Sequence, residues 1–380
     1  MSRRARVLVV GQVPPPHHGQ AVMVETLLRG RYTDVELLHL DASYSDSLDQ
    51  LGGVSLRKVW RMLAVVVRAV LIRVTRKATV LYYHPAGANR SAIVRDAFVL
   101  TILRPLFATT VFHHHARGLV PSLAELPAPL RQVARRSLAG ADLAISPSAS
   151  LDEEITALQP VRAVVVPNGT PGGRPATEPD GGPTRLLFLN LVSRAKGAHW
   201  LLDAVAELHR RDLPVHATFA GAFPSVAEEA DFRRRIAELG LAAHVALPGL
   251  VAGDAKWEAF RSADVFCVPT TYRQESFGLA AVEAASCGLA IVTTDVPGVR
   301  DVFRHGEDAL LADPDDPASL PELLSSLCTD PALRQALGHR ARALFEERFT
   351  EQHFWDAMDA ALSDVVRTRS SVRRRPTMDG

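Results

Sequence analysis

The chain has 380 residues, of which 47% are hydrophobic and 22% are charged, and its formal net charge is +1. This length predicts two domains, and the balanced charge excludes the strongly basic character typical of nucleic-acid-binding proteins. The three cysteines (Cys267, Cys287, Cys328) have no ligand-like spacing and indicate a reducing compartment. Neither a signal peptide nor a membrane-spanning run is apparent, so we expect a cytoplasmic protein.

Apolar segments typical of buried strands alternate with helical segments along the chain. The predicted strands of the first half are 6–11, 35–41, 78–85, 109–115, 142–146 and 163–167. Those of the second half are 185–191, 215–220, 245–248, 265–269, 289–293 and 309–312. This order predicts an α/β fold with two Rossmann-like parallel-sheet domains. Ligands of such sheets bind at the carboxyl ends of the strands, so we expect the site in the cleft between the domains.

The predicted N-terminal domain covers 1–170 and the predicted C-terminal domain covers 185–350. Between them, 171–184 is rich in glycine and proline, which predicts a linker. We expect a last helix, 351–366, to cross back to the first domain. The remaining segment, 367–380, is basic and has no apolar pattern, which predicts disorder.

Two features of the first half suggest ligand or surface contacts. The loop after the first strand contains Gly19 and Gln20, and a glycine lets a ligand approach the backbone closely. The loop lacks a GxGxxG pattern, so no nicotinamide cofactor is expected, and a plain strand-to-helix turn is the alternative. Residues 54–77 carry seven basic residues, no acid and apolar residues at helical spacing. This helix either packs on the first sheet, the interpretation we favour, or lies on an anionic membrane surface.

Three further groups have side chains capable of chemistry. His113 and His115 face one side of a strand, but no third metal ligand is identifiable in the sequence, so no metal is predicted. Lys196, in the loop after strand 185–191, could neutralise a diphosphate, or could be a solvated surface lysine. Asp313 and Asp315 have the spacing of a metal-binding pair, but their loop precedes a helix, and Asp316 followed by Pro317 predicts a helix cap there instead.

The most specific pattern is Glu275 and Glu283, eight positions apart, with Phe277-Gly278-Leu279 between them. The pattern places Glu275 in a loop after strand 265–269 and Glu283 in the following helix. A helix N-terminus at the carboxyl edge of a parallel sheet binds anions, and the two carboxylates could hold sugar hydroxyls. Two surface glutamates on an amphipathic helix would have the same spacing.

This segment resembles the Glu-x7-Glu element of glycosyltransferase family 4, retaining enzymes with the GT-B fold, and the resemblance extends over nearly the whole chain. It implies transfer of a sugar from a nucleotide-sugar donor to a hydroxyl acceptor (a glycan, a lipid-linked molecule or a small molecule), with no cofactor and no metal. It places the acceptor on the first domain and the donor nucleotide on the second.

The resemblance also implies roles for individual residues. Glu275 and His115 would be catalytic, and Gly19 and Gln20 would form the acceptor or phosphate loop, although the family often has a second glycine where Gln20 stands. The donor-binding residues would be Lys196, Arg194, Phe277, Gly278, Leu279 and Glu283. The family usually has an arginine where this chain has Asn190 or Leu191, and Arg194 is the nearby candidate to replace it.

Two alternatives remain at this point. One is a GT-B nucleotide-sugar epimerase, which needs no acceptor. The other is a catalytically silent GT-B protein that acts as a partner or scaffold, and the departures at Gln20 and Asn190 keep it open. The sequence does not indicate the sugar, the base, the acceptor or the oligomeric state.

Overall fold

The computed structural model describes residues 4–15, 18–42, 56–177, 181–316 and 318–373. The chain divides into two compact units: one holds residues 1–169 with 351–380, and the other holds residues 170–350. Each unit is built on a six-stranded sheet whose paired strands are all parallel. The predicted α/β fold with two Rossmann-like sheets is therefore confirmed.

The sheet of the first unit has the order β2-β1-β3-β4-β5-β6. Its strands are β1 (Ala5–Gly11), β2 (Val35–Asp41), β3 (Val80–Tyr83), β4 (Thr109–His113), β5 (Leu143–Ser146) and β6 (Ala163–Val165). Its helices are α1 (Gly19–Arg29), α2 (Leu56–Thr75), α3 (Arg90–Leu103), α4 (Leu119–Ala124), α5 (Ala128–Leu138), α6 (Asp152–Ala157) and, from the chain end, α14 (Glu351–Arg373). The middle strands are buried on both faces, as the continuous apolar runs predict.

The sheet of the second unit has the order β12-β11-β10-β7-β8-β9. Its strands are β7 (Thr184–Leu189), β8 (Val215–Ala220), β9 (Val245–Gly249), β10 (Val265–Val268), β11 (Ala290–Thr294) and β12 (Leu310–Ala312). Its helices are α7 (Ala198–Arg210), α8 (Val226–Glu238), α9 (Asp254–Arg261), α10 (Leu279–Ser286), α11 (Pro297–Arg300), α12 (Ser319–Thr329) and α13 (Pro331–Arg348). Each of the twelve predicted strands corresponds to an observed one.

The last helix corrects the prediction of a disordered segment from residue 367 onwards. Helix α14 continues to Arg373, while residues 374–380 lie outside the described part of the chain. The helix is held on the first unit by Trp355 Nε1, which donates to Thr26 O at 2.8 Å, and by Arg367 Nε, which donates to Asp34 Oδ2 at 2.7 Å. Once a helix is docked, each added residue gains a hydrogen bond without a new nucleation cost, so composition alone underestimated its length.

The segment predicted as a linker lies against the second unit where it is described. Gly173 N donates to Ser286 Oγ at 2.8 Å, and Ala176 N donates to Cys287 O at 2.9 Å. Residues 178–180 lie outside the described part, and β7 begins at Thr184. Glycine and proline here remove regular structure but leave backbone groups that pair with the neighbouring elements.

Helix α2 has two apolar faces. Val65, Val66 and Ala69 are buried, so one face packs as predicted. On the other face, large apolar side chains recur at helical spacing and are exposed, at 71% for Trp60 and 56% for Val67, with Leu63, Leu71 and Val74 on the same face. No helix in the described part of the chain is long and apolar enough to cross a membrane.

Candidate functional site

The central residues of the candidate site follow two adjacent strands of the second sheet. The strand order reverses between β7 and β10, because β8 and β9 extend to one side and β11 and β12 to the other. Ligands of open α/β sheets bind outside the carboxyl ends of the strands at such a switch point. Lys196 lies in the loop after β7, and Glu275 lies in the loop after β10.

Backbone contacts hold these two loops together. Thr271 N donates to Ala195 O at 3.0 Å, which joins the loop after β10 to the loop after β7. Gly197 has a φ of 81°, and a Cβ atom added there would lie 1.9 Å from Pro269 O. Any side chain at position 197 would force the loops apart, so glycine is what allows Lys196 to stand next to the end of β10.

The carboxylate of Glu275 is held between Lys196 and the start of helix α10. Lys196 Nζ donates to Glu275 Oε2 at 2.8 Å, and Gly278 N donates to Glu275 Oε1 at 3.3 Å. Gly278 has a φ of 79° and caps α10, which begins at Leu279. The first N–H groups of a helix have no acceptor within it, so this turn presents donors and a positive dipole end beside the lysine.

Aromatic and backbone contacts surround this pair. Lys196 Nζ lies 4.6 Å from the centre of the Tyr272 ring, a cation–π contact. Phe277 is buried, and its ring meets Phe349 edge-on at 5.6 Å, so its side chain belongs to the core while its backbone belongs to the loop. A Cβ atom on Gly298 would lie 2.3 Å from Glu275 O, so α11 packs tightly under the loop.

Glu283 lies within α10 and is buried, with 5% of its surface exposed. Its Oε1 accepts a hydrogen bond from Lys256 Nζ at 2.7 Å, and that ammonium group lies 4.7 Å from the centre of the Trp257 ring. A buried carboxylate requires such a partner, because an unpaired buried charge is strongly unfavourable. Lys256 therefore belongs to the candidate site, although the sequence prediction did not include it.

Arg194 has a partner away from the glutamate pair. Its Nη2 donates to Asp231 Oδ2 on α8 at 3.0 Å, and 71% of its side chain is exposed. His199 also approaches Asp231, at 3.6 Å. The structure thus pairs Lys196, but not Arg194, with Glu275.

In the first unit, the loop after β1 leads into α1. The helix begins at Gly19, and His18 Nδ1 caps it by accepting from Ala21 N at 3.2 Å. Nothing lies within 4 Å of a Cβ atom added at Gly19, so packing does not require glycine there. Residues 16 and 17 of this loop lie outside the described part.

His113, the last residue of β4, and His115 stack with His84, which directly follows β3. The rings of His113 and His115 lie 4.0 Å apart, and the rings of His84 and His115 lie 5.0 Å apart. His114 faces the other side, near Phe112, as the strand alternation predicts. Burial lowers the pKa of His84 to about 3 and that of His114 to about 4, and it holds the pKa values of His113 and His115 well below the usual range. These imidazoles are therefore neutral at physiological pH.

The aspartates before α12 have local partners. Asp315 Oδ1 accepts from Arg273 Nη2 at 2.7 Å, and Asp316 Oδ1 accepts from Ala318 N at 3.0 Å. The helix itself starts at Ser319, after a cap at Ala318, so Asp316 closes the preceding turn and is not the helix cap. These contacts give the predicted Asp-x-Asp spacing a structural role.

Three residues that belong to the candidate site of the second unit or to the histidine stack of the first were not predicted: His84, Lys256 and Tyr272. His84 and His113 are separated by almost thirty positions and meet only because β3 and β4 are neighbours in the sheet. Lys256 is likewise far from Glu283 in the chain. The position of Tyr272, three residues before Glu275, was the one signal that sequence reasoning could have used.

Solved structures with similar folds place the chain in the GT-B class. Sucrose-phosphate synthase (tll1590) from Thermosynechococcus elongatus is 19% identical, with a TM-score of 0.74 over 97% of this chain and 100% of that one. Anabaena Alr3699/HepE in complex with UDP-glucose is 19% identical, with a TM-score of 0.72 over 94% of this chain and 99% of that one. At this identity the likeness establishes the fold.

The sequence of the second unit carries a family signature. Residues 173–344 match the family Glycosyl transferases group 1. The D-inositol 3-phosphate glycosyltransferase of Arthrobacter sp. (strain FB24) is 36% identical over 188 residues, which is 47% of this chain and 43% of the relative. The chain thus spans less than half the length of that curated relative. Together the similarities assign the GT-B fold to the chain and a glycosyltransferase family match to residues 173–344.

Proposed function

We propose that the chain is a retaining glycosyltransferase of the family 4 type, which transfers a hexosyl group from a nucleotide sugar to a hydroxyl acceptor without a metal ion. The observation that carries the proposal is the Lys196–Glu275 pair, 2.8 Å apart, at the N-terminus of α10 and at the switch point of the second sheet. A cation and free helix N–H groups favour a diphosphate, while the carboxylate favours sugar hydroxyls.

The proposed role of Lys196 is to exchange partners when the donor binds. Without a ligand its ammonium group is neutralised by Glu275 and faces Tyr272. A bound diphosphate carries more negative charge than one carboxylate, so it would draw the ammonium group and release Glu275 for the sugar. The N–H groups of Gly278 and Leu279, with the backbone of Phe277, would complete the phosphate contact.

The other proposed roles follow the same chemistry. The Glu275 carboxylate would stabilise positive charge that develops at the anomeric carbon during transfer. Glu283 would bind the ribose diol through the oxygen that Lys256 does not occupy. In the first unit, neutral His115 would form a hydrogen bond with a sugar hydroxyl or transfer a proton, and Gly19 and Gln20 would line the acceptor side.

The donor is proposed to be a nucleoside diphosphate hexose, with UDP-glucose as the first candidate because the similar HepE structure holds it. The test is a thermal-shift screen of the full chain against UDP, GDP, ADP and TDP sugars, since a ligand that binds the native state raises its melting temperature. Release of nucleoside diphosphate is then measured with and without hydroxyl acceptors, and NMR of the product gives its anomeric configuration.

Each outcome of that test discriminates between proposals. We expect acceptor-dependent release, a retained configuration and no loss of turnover in EDTA. Release or sugar conversion without an acceptor would identify an epimerase, and donor binding without turnover on any acceptor would identify a silent partner protein. Loss of turnover in EDTA that magnesium or manganese restores would refute metal independence.

We also propose that helix α2 lies on the cytoplasmic face of an anionic membrane. Its exposed apolar face includes Trp60 and Val67, and the segment 54–77 carries seven basic residues and no acid. Apolar side chains can enter the headgroup region while Arg68, Arg76 and Lys77, which are exposed, meet anionic lipids. A lipid-linked acceptor would then be delivered to the surface where the enzyme binds.

A further inference from the structure

The histidine stack of the first unit brings three imidazole nitrogens together. One nitrogen from each of His84, His113 and His115 lies within 4.8 Å of the other two. Within this cluster, His84 Nδ1 and His115 Nε2 lie 3.1 Å apart, at hydrogen-bond distance. Two nitrogens bound at about 2.0–2.1 Å to one tetrahedral zinc ion lie about 3.3–3.4 Å apart. The pair is therefore already close to the spacing of two ligands on one ion.

The third imidazole is oriented as metal-bound histidines usually are. His113 Nδ1 lies 2.6 Å from the hydroxyl of Tyr82, so its Nδ1–H can donate to that oxygen and leave a lone pair on Nε2. His113 Nε2 is buried and has no hydrogen-bond partner among the described residues. Buried polar atoms normally have a hydrogen-bond partner or a bound ion, and a metal ion would provide a partner for this nitrogen.

We propose that His84, His113 and His115 bind one divalent transition-metal ion and that Zn²⁺ is the preferred ion. Imidazole nitrogens favour zinc over the oxygen-binding ions magnesium and manganese. Three ligands leave the fourth position of zinc for water or a hydroxyl group. The site lies at the ends of β3 and β4 in the first unit. Binding of the metal ion there does not depend on the proposed glycosyl transfer.

Zinc at this site would occupy the same nitrogen lone pair that His115 is proposed to use toward a sugar. If both proposals hold, zinc inhibits transfer and EDTA leaves a zinc-free enzyme fully active. The two proposals therefore fail separately, because zinc binding is measured without any substrate.

The test uses the full chain without a polyhistidine tag, freed of metal by a chelator that is then removed. Co²⁺ is titrated first, because a four-coordinate Co²⁺ ion gives strong visible absorption, and Zn²⁺ is then added to displace it. We expect one ion per chain and loss of the signal in His84→Ala and His113→Ala. Tyr82→Phe should weaken zinc binding by about 10–100-fold, as changes to residues that orient metal ligands do.

Two histidines serve as matched controls. His114→Ala removes the buried neighbour on the opposite side of the strand, and His216→Ala removes an exposed histidine of the second unit. Both should keep the wild-type stoichiometry and absorption, and melting curves check that every variant is folded. Equal loss in His114→Ala and His113→Ala would overturn the site.

One measurement avoids variants altogether. X-ray absorption at the zinc edge of the wild-type protein should give three nitrogen ligands at about 2.0–2.1 Å, with the scattering pattern of imidazole rings. Absence of stoichiometric zinc binding, or a first shell made of oxygen alone, would refute the proposal and leave the histidines as a hydrogen-bonded stack.

Discussion

The Glu283→Gln and Lys256→Met variants should rank in one order by their loss of stability and in the opposite order by their loss of nucleotide affinity. The two side chains form one ion pair of 2.7 Å, but 7% of the Glu283 side chain is exposed and 22% of the Lys256 side chain. Removing either partner leaves the other charge unpaired, and the cost depends on how well water reaches what remains.

The exposure of the two partners sets the expected magnitudes. Lys256→Met leaves a nearly buried carboxylate, so we expect a loss of about 3–5 kcal/mol in unfolding free energy. Glu283→Gln leaves an ammonium group that can turn toward water and can still bond to the amide, so we expect a loss of about 1–2 kcal/mol. Urea unfolding followed by tryptophan fluorescence, to which Trp257 beside the pair contributes, measures the difference.

Nucleotide affinity should show the reverse order if Glu283 binds the ribose diol. Glu283→Gln then loses a charge-assisted hydrogen bond of about 1.5–3 kcal/mol, which corresponds to roughly 10–150-fold in affinity. Lys256→Met should keep near-normal affinity, provided the variant is assayed below its melting temperature. Calorimetry with the nucleoside diphosphate decides the matter, and equal losses of affinity in both variants would mean that Glu283 acts only as the partner of Lys256.

The other predictions concern the donor pair and helix α2. Glu275→Gln should lower turnover, because it loses about 2–4 kcal/mol of transition-state stabilisation, and it should change nucleotide affinity little. Near-normal turnover would remove Glu275 from the site. Lys196→Ala should slow transfer in steady-state assays. If Lys196 and Arg194 neutralise one diphosphate, the loss of rate in the double variant with Arg194→Ala should be smaller than the sum of the two single losses. Strict additivity would leave Arg194 as the partner of Asp231 only. Trp60→Glu should reduce sedimentation with anionic vesicles, whereas Val161→Glu, at another exposed site of the same unit, should not; equal behaviour of the two variants would contradict membrane binding through α2.

The sequence predicted the strands well, because parallel strands buried on both faces appear as continuous apolar runs. Errors occurred where composition was used in place of packing. The basic composition after residue 366 predicts disorder, yet the helix extends to Arg373, and Arg367 pairs with Asp34 on the first unit. Such a pairing joins residues more than 300 positions apart, so no local pattern could have indicated it.

The candidate site was predictable where its residues follow one another in the chain. Glu275, Gly278 and Glu283 share one loop and helix, so their spacing already fixes their arrangement. Lys256 escaped prediction because it reaches Glu283 from a separate helix, α9. An isolated lysine on an amphipathic helix has no feature that distinguishes a buried ion pair from a solvated charge.

The histidine stack shows the same distinction more clearly, because the residue that the sequence pattern does not reveal is one on which the metal proposal depends. In the sequence, no third ligand is identifiable beside His113 and His115, so the sequence alone predicts no metal. The sheet order places β3 beside β4, with Tyr83 paired to Phe112, so the residue that follows β3 meets those that follow β4. His84 is distant from His113 and His115 in the chain, but the order of the strands in the sheet brings it next to them. A candidate metal site whose residues follow neighbouring strands can therefore be proposed only when the order of the strands is known, whereas a motif within one loop and helix does not require that knowledge.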